Sequence, residues 1–303
     1  MAHLEASKLF SVEGLVAVIT GGGSGLGRSM ALALDANGAS KVFIIGRREE
    51  VLKETAAAAK NKTLIPIIGD ITSKESLEAA YDAVASQTDR VHLLVANSGI
   101  MGPMIHPPKK PDGEKPTLTE LRDHLWQLPM DDFSNVLNIN VTGTYYTVLA
   151  FLPLLDAANK NLPAAQPGML PPPKAQVVVT SSIAGYSRMV PFSFAYSLSK
   201  AAATHLIKML STLLSQYAIR VNGLAPGLYH SELAMPLYQN KGIEGTGTAE
   251  GSFPREAIPV MRGGGEEDMA GLILWLAGAA GGYINGNIVV TDGGRLSLLP
   301  SVY

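Results

Sequence analysis

Tyr196 and Lys200 stand four residues apart in Tyr196-Ser197-Leu198-Ser199-Lys200, at the start of a segment of helix formers. Positions i and i+4 share one helix face, so the phenol and the ammonium point the same way. A phenol holds its proton up to about pH 10. A fixed positive charge nearby lowers that value and lets the group exchange a proton near neutrality. The same spacing also describes a surface tyrosine beside a solvated lysine. The pair therefore takes its meaning from the chain around it.

A second chemical signal lies near the N-terminus. The apolar run over residues 15–20 has the length of a strand buried on both faces, as in a parallel sheet. It runs into Gly21-Gly22-Gly23-Ser24-Gly25-Leu26-Gly27, and a helical pattern through Met30, Ala31, Leu32 and Leu34 ends at Asn37-Gly38. Strand, glycine turn and helix form the context of a phosphate-binding loop. Glycines let the backbone approach a pyrophosphate, and the open N–H groups of the helix start face the anion. A flexible turn is the plainer alternative. The spacing Gly-x-x-x-Gly-x-Gly differs from the commoner Gly-x-Gly-x-x-Gly.

The elements that must position these groups alternate regularly. Strands are expected over 41–45, 63–68, 91–96, 176–180, 219–224 and 287–291, with helices over 49–59, 74–86, 130–155, 195–217 and 266–280. With the first strand that makes seven. The expected fold is α/β: one doubly wound parallel sheet with helices on both faces, in a single domain. Ligands of such sheets sit at the carboxyl ends of the strands. Asp70-Ile71 and Asn97-Ser98-Gly99 end two strands there. After the second strand comes Gly46-Arg47-Arg48, where an acid would bind the ribose hydroxyls of NAD. Two guanidiniums suit a 2′-phosphate instead, which favours NADP(H) over NAD(H). Glu49 and Glu50 follow, so a charged helix start is the alternative.

Two stretches break the pattern. Residues 102–129 carry Pro103, Pro107, Pro108, Pro111 and Pro116, then a short amphipathic helix through Leu118, Leu121, Leu125 and Trp126. Residues 159–173 form a second excursion, rich in proline from 163 on. Asn138-Ile139-Asn140-Val141-Thr142-Gly143 inside the helix at 130–155 predicts a bend, or a water on a freed carbonyl. Residues 229–265 are polar and Gly-rich, with Met235, Leu237, Tyr238 and Phe253. They are expected to form a mobile lid with apolar contacts.

Composition sets the outer limits. The chain has 303 residues, 47% of them hydrophobic, a net charge of −2 and no cysteine. Nothing in that balance suggests a nucleic-acid partner. Cysteine nucleophiles, disulfides and thiolate metal sites are excluded. Residues 1–13 lack the apolar core of a signal peptide, and the longest apolar stretch, near 272–280, is too short to span a bilayer. The six histidines have no ligand spacing, so no metal is expected; His230, beside Ser231, is expected in solvent. The expectation is a soluble, cytoplasmic protein without a membrane partner.

Across nearly its whole length the chain resembles the short-chain dehydrogenase/reductase superfamily, a Rossmann-like family. Thr20-Gly21-x-x-x-Gly25-x-Gly27 resembles its cofactor loop, Asp70 its adenine-contacting acid, and Asn97-Ser98-Gly99 part of its Asn-Asn-Ala-Gly segment, whose first position here is Ala96. Asn140, Ser182, Tyr196 and Lys200 look like its catalytic tetrad. Pro226-Gly227 followed by Ser231 resembles the segment beside the nicotinamide. The resemblance implies hydride transfer between the nicotinamide and a carbonyl or alcohol carbon. Tyr196 would donate the proton, Ser182 hold the substrate oxygen, Lys200 lower the tyrosine pKa and bind the ribose, and Asn140 hold a relay water. Ser182 precedes Tyr196 by fourteen positions where the family has thirteen, so one residue must loop out. The insertion at 102–129 is expected to wall the substrate pocket. The apolar excess on the helices at 130–155 and 195–217 implies a homodimer or homotetramer. Within the superfamily the chain looks most like fungal-type reductases related to β-ketoacyl reductases.

Three readings follow. The first is an NADPH-dependent ketoreductase of a medium-sized, partly apolar carbonyl, such as a secondary-metabolite intermediate. A second keeps the fold and reduces an imine or steers a cyclisation. A third, a dinucleotide-binding sensor without turnover, leaves the Tyr196–Lys200 pair without a purpose.

Overall fold

The structure is a computed structural model. It describes residues 4–105, 108, 113–163, 171–190, 193–232, 234–240, 242, 243 and 245–303. His106, Pro107, Pro111 and residues 164–170 of the second excursion lie outside these, as does the Leu237 side chain.

Seven strands form one sheet: β1 Val16–Thr20, β2 Lys41–Gly46, β3 Leu64–Ile68, β4 Leu93–Ala96, β5 Gln176–Thr180, β6 Arg220–Pro226 and β7 Ile288–Thr291. Their order is β3-β2-β1-β4-β5-β6-β7 and every pairing is parallel. The helices are α1 Ala6–Leu9, α2 Gly25–Ala36, α3 Glu49–Ala57, α4 Lys74–Ala85, α5 Leu118–Leu125, α6 Met130–Leu137, α7 Thr144–Lys160, α8 Phe194–Leu214, α9 Met235–Asn240 and α10 Glu266–Ala277.

Alternate side chains of the strands feed two cores. Val18, Phe43, Leu94, Val177 and Val221 face one side, where Val148 and Phe151 of α7 and Ile207 and Leu210 of α8 cover them. Ala17, Ile19, Ile44, Val95 and Val178 face the other, under Met30 and Leu34 of α2 and Met269 and Ile273 of α10. Each such side chain stabilises the fold by about 1.5–3 kcal/mol before chain entropy is counted. β3 is an edge strand, which is why Pro66 is tolerated there and why Ile68 lies 59% exposed.

Residues 138–143 form a π-helical turn between α6 and α7, so the bend expected there is a widened turn inside one continuous helix. That helix, Met130–Lys160, is 31 residues long and contains an 18-residue window with a mean hydropathy of 1.2. Length and composition alone would let such a helix cross a bilayer, a test that a buried core helix also passes. Here Val148, Phe151, Leu154 and Leu155 bury its inner face in the sheet core.

In the segment expected to form a lid with apolar contacts, Tyr238 and Phe253 are buried. They pack edge to face, with centroids 5.7 Å apart, inside a small core with Ala234 and Ile258.

Candidate active site

The sheet order reverses between β1 and β4, and a cleft of about 520 Å³ opens at the carboxyl ends of the strands on both sides of that point. From β1 it takes Gly21, Ser24, Gly25 and Leu26; from β2, Arg47 and Arg48; from β3, Asp70 and Ile71. From β4 it takes Asn97, Ser98 and Gly99; from β5, Ser182; from β6, Pro226, Gly227 and Ser231. Tyr196 and Lys200 of α8 close one end. Two of the expected residues do not line it. Gly27 is buried against the loop it follows: a Cβ there would sit 2.2 Å from the Gly21 oxygen and 2.6 Å from Asn97 Nδ2. Asn140 lies behind Gly99. His230, exposed, rests edge-on to Tyr238 at 5.9 Å, away from the cleft.

The loop's conformation follows from its glycines. Gly21 and Gly25 have φ of +67° and +51°, which L side chains adopt rarely. The cap residue of α2, Ser24, makes no side-chain cap bond, so the first N–H groups of that helix stay open to an anion. Behind the loop, Thr20 ties β1 to β4: its hydroxyl accepts from the Asn97 and Ser98 N–H groups at 3.1 and 3.2 Å. Asn97 Nδ2 donates to the Thr20 and Gly21 carbonyls, and its Oδ1 accepts from the Thr180 hydroxyl at 3.1 Å. The Asn97 side chain thus staples three strand ends and presents little of itself to a ligand.

At the carboxyl end of β3, the Asp70 carboxylate accepts from the Thr72 N–H and hydroxyl at 2.9 and 2.7 Å. Those bonds, with Arg47 nearby, hold it below the usual carboxylate range. Arg48 Nη2 lies 2.7 Å from Glu232 Oε2 and 3.3 Å from Ser24 Oγ.

Ser181 and Ser182 both border the cleft but are held differently. Ser181 Oγ donates to the Lys200 carbonyl at 2.9 Å and meets Thr204 Oγ1 at 2.8 Å, so it anchors α8. Ser182 faces the cleft, accepts from the Ala184 N–H at 3.1 Å and hydrogen-bonds the Tyr196 phenol. The fourteen-residue spacing therefore still joins these two hydroxyls. The segment after Ser182 is braced by the chain's last residues: Arg188 N donates to Pro300 O, Val302 N to Tyr186 O, and Tyr303 packs on Tyr186 at 5.0 Å.

Tyr196 and Lys200 are each 5% exposed. Lys200 Nζ donates to the Thr180 carbonyl at 2.9 Å and stands 5.8 Å from the Tyr196 ring centroid. Burial lowers the Lys200 pKa to about 8. Burial also pushes the Tyr196 phenol up, against the hydrogen bond from Ser182. Burial dominates the phenol, so its net shift runs opposite to the lowering expected from Lys200. Gly99 keeps a gap beside the lysine, for a Cβ there would lie 3.6 Å from Lys200 Nζ and 3.0 Å from Asn140 Oδ1.

The Asn140 side chain is fully engaged. Oδ1 accepts from the Ile100 N–H, and Nδ2 donates to the Ile100 carbonyl and to Ser199 Oγ, all at 2.9 Å. It clamps the loop after β4 to α8. Only its backbone carbonyl, which also accepts from Thr144 Oγ1 at 2.9 Å, is left for a water. Sequence reasoning missed Thr180, Ser199 and Glu232; their signal was proximity to motifs that were read.

The described residues of the first insertion do not line this cleft. Leu125, Leu128, Met130 and Phe133 line a separate apolar cavity of about 290 Å³ with Ile105 and Phe194. From the loop after β4 the main cleft takes only Ile100 and Met101 beyond Gly99. Among the described residues, no three His, Asp or Glu side chains cluster as metal ligands would.

A parallel sheet with a glycine loop on β1 and a buried Tyr–Lys pair beside a serine defines a class of dinucleotide-dependent oxidoreductases. The chain matches the short chain dehydrogenase family over residues 15–242 and belongs to it. It is 44% identical to the short-chain dehydrogenase/reductase PhomF of Diaporthe leptostromiformis, over 99% of this chain and 97% of that one. It is 45% identical to the short-chain dehydrogenase/reductase SAT3 of Stachybotrys chartarum, over 90% and 100%. A rhamnolipids biosynthesis 3-oxoacyl-[acyl-carrier-protein] reductase of Pseudomonas aeruginosa is 31% identical over 94% and 97%. The solved Pseudomonas aeruginosa RhlG/NADP active-site complex superposes with a TM-score of 0.76 at 29% identity, covering 95% and 98%. The family works with a nicotinamide dinucleotide. The cleft fits one: open N–H groups at the α2 start, glycines where side chains would intrude, and a lysine with donors to spare.

Proposed function

We propose that the protein is an NADP(H)-dependent ketoreductase acting on a medium-sized, partly apolar carbonyl of secondary-metabolite type. The observation that carries this reading is the meeting of Ser182, Tyr196 and Lys200 at one end of a cleft whose other end holds Arg47 and Arg48. The RhlG/NADP complex and the 3-oxoacyl reductase supply the parallel for cofactor and substrate class.

The bound nicotinamide supplies the hydride. The rest falls to the chain. Arg47 and Arg48 hold the 2′-phosphate through their planar forks. The glycine loop and α2 start hold the pyrophosphate, and Pro226, Gly227 and Ser231 flank the nicotinamide. Ser182 Oγ donates to the substrate oxygen and fixes it beside the phenol. Tyr196 gives its proton to that oxygen as negative charge develops there. A phenol held above its ordinary pKa stays protonated until that charge arrives. Lys200, with a pKa of about 8, is charged at pH 7, binds the ribose and favours the transient phenolate. Asn140 fixes the loop that faces Lys200, and a water on its backbone carbonyl refills the proton.

We further infer one cofactor-binding and catalytic domain, acting in the cytoplasm, and a homodimer or homotetramer. Phe194, Leu198, Met209, Leu213 and Tyr217 leave an exposed apolar stripe along α8 and its last turn, with Tyr145 exposed on α7. A monomeric mass in solution would refute the oligomer.

The direct test is NADPH consumption over a panel of ketones, diketones and β-ketoacyl thioesters, with wild type beside Tyr196→Phe. Turnover by the wild type alone is expected. NADPH binding without turnover of any carbonyl would refute the ketoreductase reading.

A further inference from the structure

Arg48 and Glu232 are 184 residues apart and meet across the cofactor cleft, which both line. Arg48 is the cap residue of α3, at the carboxyl end of β2. Glu232 belongs to the segment after β6. That segment lies directly over the glycine loop, since a Cβ on Gly25 would come within 3.1 Å of Ser231 Cβ. The guanidinium meets the carboxylate side-on: Nη2 to Oε2 at 2.7 Å and Nη1 to Oε1 at 3.5 Å. This is the planar fork that an arginine also offers a phosphate.

Two cations, Arg47 and Arg48, line this end of the cleft together with two carboxylates, Asp70 and Glu232. The carboxylates are held differently. Asp70 is bound by Thr72. Among the described residues, the Glu232 carboxylate hydrogen-bonds Arg48 alone. The side chains are 59% and 61% exposed, so the pair is weak enough to exchange.

We propose that Glu232 is a cofactor-selectivity residue: its carboxylate holds the place on Arg48 that the 2′-phosphate of NADP(H) takes on binding. The phosphate-bearing cofactor must displace Glu232, and the displacement frees the start of the lid from the α3 side of the cleft. NADH has no 2′-phosphate and leaves the pair intact. Glu232 therefore lessens the preference for NADP(H) that Arg47 and Arg48 create. This inference rests on the assignment of the arginines to the 2′-phosphate.

The test is the dissociation constant of NADPH and of NADH, by quenching of protein fluorescence, for wild type, Glu232→Gln, Arg48→Gln and the double variant. Glu232→Gln is expected to tighten NADPH about three- to tenfold while changing NADH by about twofold or less. In the Arg48→Gln background the same change should have no effect on either cofactor. Equal changes for both cofactors, no change, or weaker NADPH binding in Glu232→Gln would overturn the proposal, as would a full effect without Arg48. A wild type that binds NADH as tightly as NADPH, with Arg48→Gln leaving NADPH unaffected, instead refutes the arginine assignment. A wild type that prefers NADH, while Glu232→Gln still tightens NADPH selectively through Arg48, refutes only the cofactor preference and leaves the role of Glu232 standing.

Discussion

Replacing Lys200 with methionine should abolish turnover and stabilise the cofactor-free protein. The ammonium is buried without a carboxylate partner among the described residues; its pKa falls from 10.5 to about 8. A shift of that size corresponds to roughly 3 kcal/mol by which the fold disfavours the charged form. Methionine fills similar space without charge but leaves the Thr180 carbonyl without the Nζ donor, a loss of about 1–2 kcal/mol. The net gain at pH 7 is about 1–2 kcal/mol. Its pH dependence has a definite sign. Below pH 8 the lysine is charged in folded and unfolded chains alike, and the wild type carries the full penalty. Between pH 8 and 10.5 the folded protein sheds the proton while the unfolded chain keeps it, so wild-type stability rises with pH. The methionine variant has no such group. Its advantage should shrink above pH 8 and reverse near pH 9. Urea unfolding of both proteins at pH 7, 8, 9 and 10 measures the difference directly. A wild type that is the more stable at pH 7, or a difference independent of pH, would refute the reasoning.

Tyr196→Phe keeps the ring and its packing, so it should lower kcat by about 10²- to 10⁴-fold, with NADPH affinity by fluorescence titration changed about threefold or less. Ser182→Ala and Ser181→Ala should separate: the first lowers kcat, whereas the second keeps activity but loses about 1 kcal/mol of stability with its bond to α8. Gly27→Ala drives a methyl into the Gly21 carbonyl and should cost about 1–3 kcal/mol in denaturant unfolding and weaken cofactor binding. Asn140→Ala unpairs both polar groups of Ile100 and should cost about 2–4 kcal/mol by the same measurement.

The fold was readable because its signals are local. Continuous apolar runs mark the inner strands, and a glycine or polar stop marks each carboxyl end. Strand and helix boundaries such as Lys41 and Lys74 therefore stand where the sequence puts them. The glycine loop, the arginines, Asp70 and the Tyr196–Lys200 face were legible for the same reason: each depends on spacing within one element. What failed was direction. Tyr238 and Phe253 are apolar residues in a Gly-rich segment, and nothing local says whether they face a substrate or each other. The short helix expected within the insertion at 102–129 is there as Leu118–Leu125, but which cavity its end borders depends on packing against α6 and Phe194. The helix expected over 130–155 runs on to Lys160, because Asp156 and Asn159 end the apolar pattern without ending the helix.

The pKa findings show why motif residues alone do not define this site. Tyr196 and Lys200 share a helix face, as their spacing requires, yet both are driven toward their neutral forms because the cleft buries both. The groups that hold them there are backbone carbonyls and neutral hydroxyls: Thr180 O on the lysine, Ser182 on the phenol, Ser181 on the helix that carries them. None of these can pair an ammonium as a carboxylate would. A carboxylate beside Lys200 would make the protein more stable and the lysine's charge permanent, but it would also compete with the phenolate for that charge. Leaving the ammonium unpaired keeps its field available to Tyr196, at the loss of stability that Lys200→Met should restore. The active end of the cleft is thus built to be destabilised by its lysine, and the surrounding buried sheet is what tolerates it.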